Sequence, residues 1–413
     1  MTDKNFHILR SLPAYFWTLI ALVLGILLGG LFPETFAVIA SGTTAGIQFI
    51  VLFVPILIFA ALSPACATLV KRGLAGKFAA SVVAWFVLSS AIAGLIGVVV
   101  SSALSRIPFS GKESGLLSEV IRMFQVFGEG SGSGASFPLL AIVFAIIIGV
   151  IAVWIRPLFF LLSKIEKAIG KMGQVLGYFL IPILFCLGVT IGVKFGPKLG
   201  MEHFLTMVFY TFVLCSLWSM FYILLITKLI TKRNMRKLVT EYFLPTAVFA
   251  AGTISSLVTL PINLANIKKY GVRNQVADFV IPFGAVTNMD GSALMNIAFT
   301  PILLKTVFGL EISWMAMLII WPAVVLFTIA APGLPAGMGS SLWTATLVAS
   351  ILGFDETLKA SFITMFVALY GGIPDMFVTV SNCTGDGLTA VLFDSKFERF
   401  LPETPSSKSR GQD

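Results

Sequence analysis

The chain has 413 residues, of which 57% are hydrophobic and 11% charged, and its formal net charge is +9. A soluble protein is about 25% charged, and soluble cores stop growing near about 300 residues. These proportions exclude a soluble globular protein and predict an all-α polytopic membrane protein. The basic residues sit in short loops between apolar runs, which is a topology signal and not the mark of a nucleic-acid partner.

Apolar runs of spanning length occupy residues 12–32, 42–70, 78–105, 137–155, 172–193 and 203–231. A span needs roughly 20 residues. The first run lacks an evident small-residue cleavage site and is read as a retained helix. The second is longer than a span and contains Pro55 and Pro64, so it is expected to tilt or kink. Residues 106–136 form a Gly/Ser-rich polar stretch that is either a flexible connection or the broken start of the fourth helix. Cys66, Cys186, Cys215 and Cys383 fall in apolar runs without metal-ligand spacing and read as core residues. His7 and His203 lie near segment ends and form no site together.

Beyond residue 231 the pattern changes. Residues 238–267 are apolar but interrupted by the Ser/Thr-rich stretch 251–261, which predicts a re-entrant hairpin. Residues 275–307 give a span broken at Asn288-Met-Asp-Gly291. Residues 313–352 give a second broken pair around the Gly/Pro-rich stretch 330–341, and residues 358–394 a final span expected to break near Thr384-Gly-Asp386. A hairpin followed by a broken helix thus occurs twice, and such paired interruptions point to a transporter binding site. Irregular backbone survives at membrane depth only where protein buries it or a cavity is lined by it. With a cytoplasmic N-terminus and both hairpins re-entrant, about 21 Lys and Arg fall on the cytoplasmic side and about 7 opposite, as expected for basic residues retained inside.

Three carboxylates lie inside these apolar segments: Asp290, Asp375 and Asp386. An ionisable residue in a span is expensive and by default functional. In a helix, Asp375, Val378, Thr379, Asn382 and Asp386 share one face, a polar stripe broken only by Val378. A hydrogen-bonded seam between helices would use Thr379 and Asn382; it would not need two carboxylates.

These motifs together resemble the dicarboxylate/amino acid:cation symporter family, which includes glutamate transporters and neutral amino acid exchangers, over nearly the whole chain. Asn288-Met-Asp-Gly-Ser292 is close to the family's NMDGT motif, and Asp375, Thr379, Asn382 and Asp386 match its last helix. Thr253-Ile-Ser-Ser256 followed by Thr259-Leu-Pro261 resembles the tip of hairpin 1, and Gly333-Leu-Pro335 that of hairpin 2. The resemblance implies an inverted-repeat, elevator-type transporter with eight transmembrane helices plus two re-entrant helical hairpins. It implies a homotrimer in the lipid bilayer of the cell (inner) membrane, with both termini cytoplasmic. Residues 1–77 would be scaffold helices 1 and 2, 78–105 transport-domain helix 3, and 106–200 scaffold helices 4 and 5. Residues 201–395 would be the rest of the transport domain, with hairpin 1 at about 238–270 and hairpin 2 at about 313–352, and 396–413 a cytoplasmic tail.

The resemblance also implies roles. Asp375, helped by Thr379, would take a substrate ammonium; Asn382 and the backbone amides of Ser255 and Ser256 would hold its carboxylate. Ser292, where the family usually has Thr, and Leu334 at the hairpin 2 tip would complete the pocket. Sodium would be bound at two or three sites. One would use Asp386 with carbonyls of Gly284, Asn288 and Asn382. A second would use Asp290, Asn288, Ser89, Ser90 and the carbonyl of Phe86, which stands where the family has Tyr. The third would use carbonyls of Val286, Thr328, Ile329 and Ala331. Acidic-substrate members carry an Arg at the position of Val378 or at the hairpin 1 tip, here Ile254. Without it a buried acidic side chain lacks a partner, so the expected cargo is a small or medium zwitterionic amino acid whose uncharged side chain faces Val378. Met338, where the family tends to have Gly, would narrow the pocket.

The expected function is therefore coupling of sodium influx to uptake of a neutral amino acid, and not an enzyme activity. A sodium-dependent exchanger and a proton-coupled symporter of acidic amino acids or dicarboxylates are the near alternatives. An intramembrane aspartyl protease is disfavoured because Cys383 replaces the first glycine of a Gly-x-Gly-Asp site and no Tyr-Asp partner exists. A passive channel is the other rival class.

Overall fold

The computed structural model describes residues 14–43, 77–105, 147–165, 180–329 and 340–400, with scattered positions from 45 to 67 and at 144–145 and 168. Among the described residues the regular structure is helical and contains no strand. Among the described residues, four helical stretches are long and apolar enough to cross a membrane, and a bent helix pair adds a fifth if it forms one span. The predicted span at 42–70 lies largely outside the described residues, and that at 137–155 is described at 144–145 and 147–155.

Helix α1 (Ala14–Leu31) packs along α3 (Leu180–Leu224). Gly25 and Gly29 lie against the backbone of Phe185 and Val189, and Gly188 and Gly192 against the carbonyls of Leu22 and Ile26; a Cβ at any of the four would strike main chain. Lipid gives helices no hydrophobic reason to associate, so close backbone approach over small residues supplies the attraction. Gly196, with φ 75°, and Pro197 divide α3, leaving candidate spans Ile181–Lys198 and Gly200–Ile230, which overlap the predicted runs 172–193 and 203–231; residues 172–179 lie outside the described residues. Helix α2 (Lys77–Leu104) crosses both α7 and α8.

The predicted first hairpin is present as α4 (Leu244–Thr253) and α5 (Ser256–Tyr270), of 10 and 15 residues. The first arm extends beyond α4: a π-helical turn at Val239–Phe243 joins α4 without a break to the helical turn Met235–Leu238. The reversal is confined to Ile254, in the left-handed region at φ 48°, and the extended Ser255; Pro261 lies within α5. Hydrogen bonds zip the two arms: Tyr242 Oη to Asn263 Oδ1 at 2.8 Å, Asn266 Nδ2 to Thr246 Oγ1 at 3.1 Å and Thr253 to Thr259 at 2.7 Å between hydroxyls.

Helices α6 (Asn274–Thr287) and α7 (Asp290–Phe308) flank the predicted break, which falls on Asn288 and Met289. This pair is the centre of the molecule: 78% of its most apolar window is buried, against 39–44% in the other three long stretches. A helix that is covered on all sides must be supported by protein and not by lipid. Helices α8 (Trp314–Ile329) and α9 (Ser340–Ile351), of 16 and 12 residues, match the arms predicted for the second hairpin. Its tip, including Ala331, Leu334 and Met338, lies outside the described residues.

The last span departs from expectation. Helices α10 (Glu356–Tyr370) and α11 (Ile373–Ser395) meet at a 70° bend, and the break is at Gly371–Gly372, where Gly372 has φ 78°. The interruption expected near Thr384-Gly-Asp386 is absent, since α11 runs unbroken through it. The glycines there serve close approach instead. A Cβ on Gly387 would sit inside the Tyr242 ring, and one on Gly385 would press on Asn288 Nδ2. At its far end α11 is anchored by the buried Asp394, which pairs with Arg233 at 2.5 Å and accepts a hydrogen bond from the Arg273 backbone amide at 3.1 Å.

Candidate functional site

The break between α6 and α7 exposes backbone ends at the heart of the bundle, and the polar stripe of α11 faces it. Asp290 opens α7 and is completely buried. Its Oδ1 accepts hydrogen bonds from Ser90 Oγ at 2.8 Å and Ser89 Oγ at 3.0 Å, both from α2. The Ser89 hydroxyl also reaches the Phe86 carbonyl at 3.2 Å. Among the described residues, Asp290 Oδ2 has no hydrogen-bond partner, and neither has Asn288 Oδ1. The amide nitrogen of Asn288 donates to Asp386 Oδ1 at 3.0 Å. Asp386 fits because residue 284 is glycine: a Cβ there would strike its carboxylate and the Phe86 ring.

Seven predicted residues are thus brought together: Phe86, Ser89, Ser90, Gly284, Asn288, Asp290 and Asp386. Two buried carboxylates, two hydroxyls and amide and backbone carbonyls make an all-oxygen donor set. Hard cations take such a set, and the two oxygens without partners are the kind of group that a cation satisfies. No group of three His, Cys, Asp or Glu side chains is gathered among the described residues, so a transition-metal site has no support there. Of the third predicted set, α6 and α8 do touch and Thr328 is buried. Val286 is partly buried and Ile329 ends α8.

Asn382 does something that sequence reasoning did not anticipate. Its Oδ1 accepts from the backbone amides of Gly291 at 2.9 Å and Ser292 at 3.3 Å, and its Nδ2 donates to Ser292 Oγ at 3.1 Å. It caps the exposed first turn of α7, whose amides need acceptors, and so ties α11 to the broken helix. Asp375 lies in the first turn of α11, where the helix dipole favours an anion. Asp375, Val378 and Thr379 are all buried. Ser255 and Ser256 stand at the start of α5, Ser255 as its N-cap, and the Cys383 thiol lies 3.5 Å from the Ser256 hydroxyl. The hairpin tip therefore sits beside α11 near Asn382.

The aromatic hydroxyls around this centre also escaped sequence reading. The Tyr222 hydroxyl from α3 accepts a hydrogen bond from Trp85 Nε1 and shares one with Thr389 Oγ1, each at 2.7 Å. Tyr242 Oη and Asn263 Nδ2 both reach the Cys383 carbonyl, at 3.2 and 2.8 Å. Nothing in their spacing distinguishes such tyrosines from ordinary core. On the opposite face of α11, Phe377, Val380 and Ser381 line an apolar cavity of about 570 Å³ shared with α3 and α4; the charged stripe does not reach it.

This geometry defines a class: a helical membrane protein whose buried ionisable groups gather where its helices break. The chain belongs to the sodium:dicarboxylate symporter family, whose sequence profile it matches over residues 14–396. It is 29% identical over 185 residues to the neutral amino acid transporter B(0) of Mus musculus, covering 45% of this chain and 31% of that protein. It is 30% identical over 183 residues to the serine/threonine transporter SstT of Campylobacter jejuni subsp. doylei, covering 44% of this chain and 42% of the relative. It is 29% identical over 169 residues to the proton/sodium-glutamate symport protein of Bacillus subtilis, covering 40% and 37%. The matched region thus spans about a third to two fifths of these relatives' length.

Proposed function

We propose that this protein is a secondary active transporter that couples sodium entry to uptake of a neutral amino acid. The observation that carries the reading is the buried pair Asp290 and Asp386 with the unpaired oxygens Asp290 Oδ2 and Asn288 Oδ1. Two uncompensated carboxylates in such surroundings are very costly, and small hard cations remove that cost. Sodium at Asp290 would be ligated through Ser89, Ser90, Asn288 and the Phe86 carbonyl; at Asp386, through the carbonyls of Gly284, Asn288 and Asn382. Carbonyls of Val286, Thr328, Ile329 and Ala331 complete a third site in this reading.

The substrate pocket is assigned to Ser255, Ser256, Ser292, Leu334, Asp375, Val378, Thr379 and Asn382. Asp375 takes the ammonium, and the amides opening α5 take the carboxylate, since helix N-termini attract anions. Val378 leaves no cation for an acidic side chain. The mouse and Campylobacter relatives, a neutral amino acid transporter and a serine/threonine transporter, agree with that choice, whereas the Bacillus relative is a glutamate symport protein. Sodium binding orders the Asn288–Met289 break and raises amino acid affinity, and by linkage the reverse also holds. With the charges neutralised, residues 78–105 and 201–395 move across the membrane against a scaffold of residues 1–77 and 106–200, within a homotrimer.

Purified protein in liposomes tests this. An inward sodium gradient should drive accumulation of labelled alanine or serine, and collapsing the gradient should abolish it. Glutamate uptake unaffected by excess alanine and serine would overturn the assignment.

A further inference from the structure

We propose that the Tyr370 hydroxyl reads the substrate side chain and selects amino acids that carry a side-chain hydroxyl. The inference rests on the amino acid reading above and sharpens it to a substrate class. Tyr370 is the last residue of α10, immediately before the Gly371–Gly372 bend and five positions ahead of Asp375. Its side chain is completely buried. The ring is stacked on Phe366 with centroids 6.0 Å apart and meets Phe299 edge-on at 5.2 Å. Phenylalanine would satisfy this packing equally well, so the packing does not explain the hydroxyl.

That hydroxyl has no hydrogen bond among the described residues. The polar groups near it include the hydroxyls of Ser292 and Ser340 and the Asp375 carboxylate. Three elements, α7, α9 and α11, thus converge on it, and two of the neighbours belong to the proposed substrate pocket. A buried hydroxyl left unpaired is unfavourable. The group that pairs with it is best a neutral one able both to give and to accept a hydrogen bond, as a phenol can. A carboxylate side chain would face Asp375, a like charge. An aliphatic side chain would leave the phenol as it is. A small hydroxyl side chain completes it. Sites built to bond a substrate hydroxyl discriminate strongly against the analogue that lacks it.

The test compares serine with 2-aminobutyrate, its near-isostere with methyl in place of hydroxyl, by ligand-induced thermal stabilisation in saturating sodium. Wild type should bind serine about tenfold more tightly than 2-aminobutyrate, the value of one added hydrogen bond. In Tyr370→Phe that ratio should fall to about one through loss of serine affinity, with 2-aminobutyrate within about twofold of wild type. Sodium-induced stabilisation serves as the folding control. A wild-type ratio near one, or a ratio that Tyr370→Phe leaves unchanged, overturns the proposal while leaving amino acid transport standing. Equal loss of both ligands makes Tyr370 structural and also overturns it. Failure of wild type to respond to any amino acid instead defeats the transport reading, and this inference with it.

Discussion

Replacing Asp290 by Asn separates a cation ligand from a structural hydrogen-bond acceptor. The substitution is nearly isosteric, and the amide oxygen can still accept from Ser89 and Ser90, which now bond one carboxylate oxygen at 3.0 and 2.8 Å. What disappears is the negative charge and the unpaired Oδ2. Two unit charges 4 Å apart attract by about 4 kcal/mol at an effective dielectric of 20. Losing even about 3 kcal/mol of this weakens sodium binding by more than about a hundredfold. A residue that only holds α2 to α7 would instead lose about 1 kcal/mol or less of hydrogen bonding and leave sodium affinity intact. The assay is the rise in melting temperature of detergent-purified protein as sodium is titrated against choline, since a ligand of the folded state stabilises it with the logarithm of its concentration. Asp290→Asn should shift the sodium midpoint by two orders of magnitude. An unchanged midpoint in a folded variant would refute the cation assignment at Asp290.

The remaining predictions follow from the same geometry. Gly284→Ala drives a methyl into the Asp386 carboxylate, so sodium affinity should fall at least about tenfold with a loss of about 1–3 kcal/mol in stability, read by the same titration. Asp375→Asn should weaken amino acid binding by about a hundredfold, the worth of a buried charge pair, while the sodium-induced shift in melting temperature persists. Val378→Arg should abolish stabilisation by alanine and serine and lower the melting temperature of the ligand-free protein, because a buried guanidinium has no partner until an acidic amino acid enters; aspartate or glutamate should then rescue it.

Much of the candidate site was legible because polar residues in an apolar span are conspicuous. Asp290, Asp375 and Asp386 stood out by charge alone, and Asn288-Met-Asp-Gly291 marked the break between α6 and α7 within a residue. The turn of the first hairpin was placed correctly but too broadly, because Ser and Thr serve both turns and helix caps; only Ile254 and Ser255 leave helical geometry. The last span was misread for a related reason. Glycine marks a bend or a close approach, and sequence does not separate them. Gly371–Gly372 bends the chain, whereas Gly385 and Gly387 let Asn288 and Tyr242 approach α11. The hydroxyls of Tyr222, Tyr242 and Tyr370 were invisible because an aromatic residue in an apolar run is indistinguishable from core until its neighbours are known.

Asn382 explains how the parts act together. Its amide oxygen holds two backbone amides of the first α7 turn, at 2.9 and 3.3 Å, and its nitrogen holds Ser292. Asp290 is one residue before Gly291, and Asp386 is one turn along α11 from Asn382. Any ligand that re-orients Asn382 therefore alters the N-terminus that positions Asp290, and any cation that pulls on Asp290 or Asp386 strains the cap. In the proposed function, a substrate carboxylate competing for Asn382 Nδ2 and a sodium ion on the adjacent carboxylates would share one connection between α7 and α11. Under the proposed function, coupling of the two ligands would need no distant relay, because one side chain bonds the broken helix and borders the proposed pocket. Asn382→Ala should accordingly do more than weaken each ligand. It should reduce the factor by which sodium raises amino acid affinity, and a double titration in which that factor stayed at its wild-type value would sink this account.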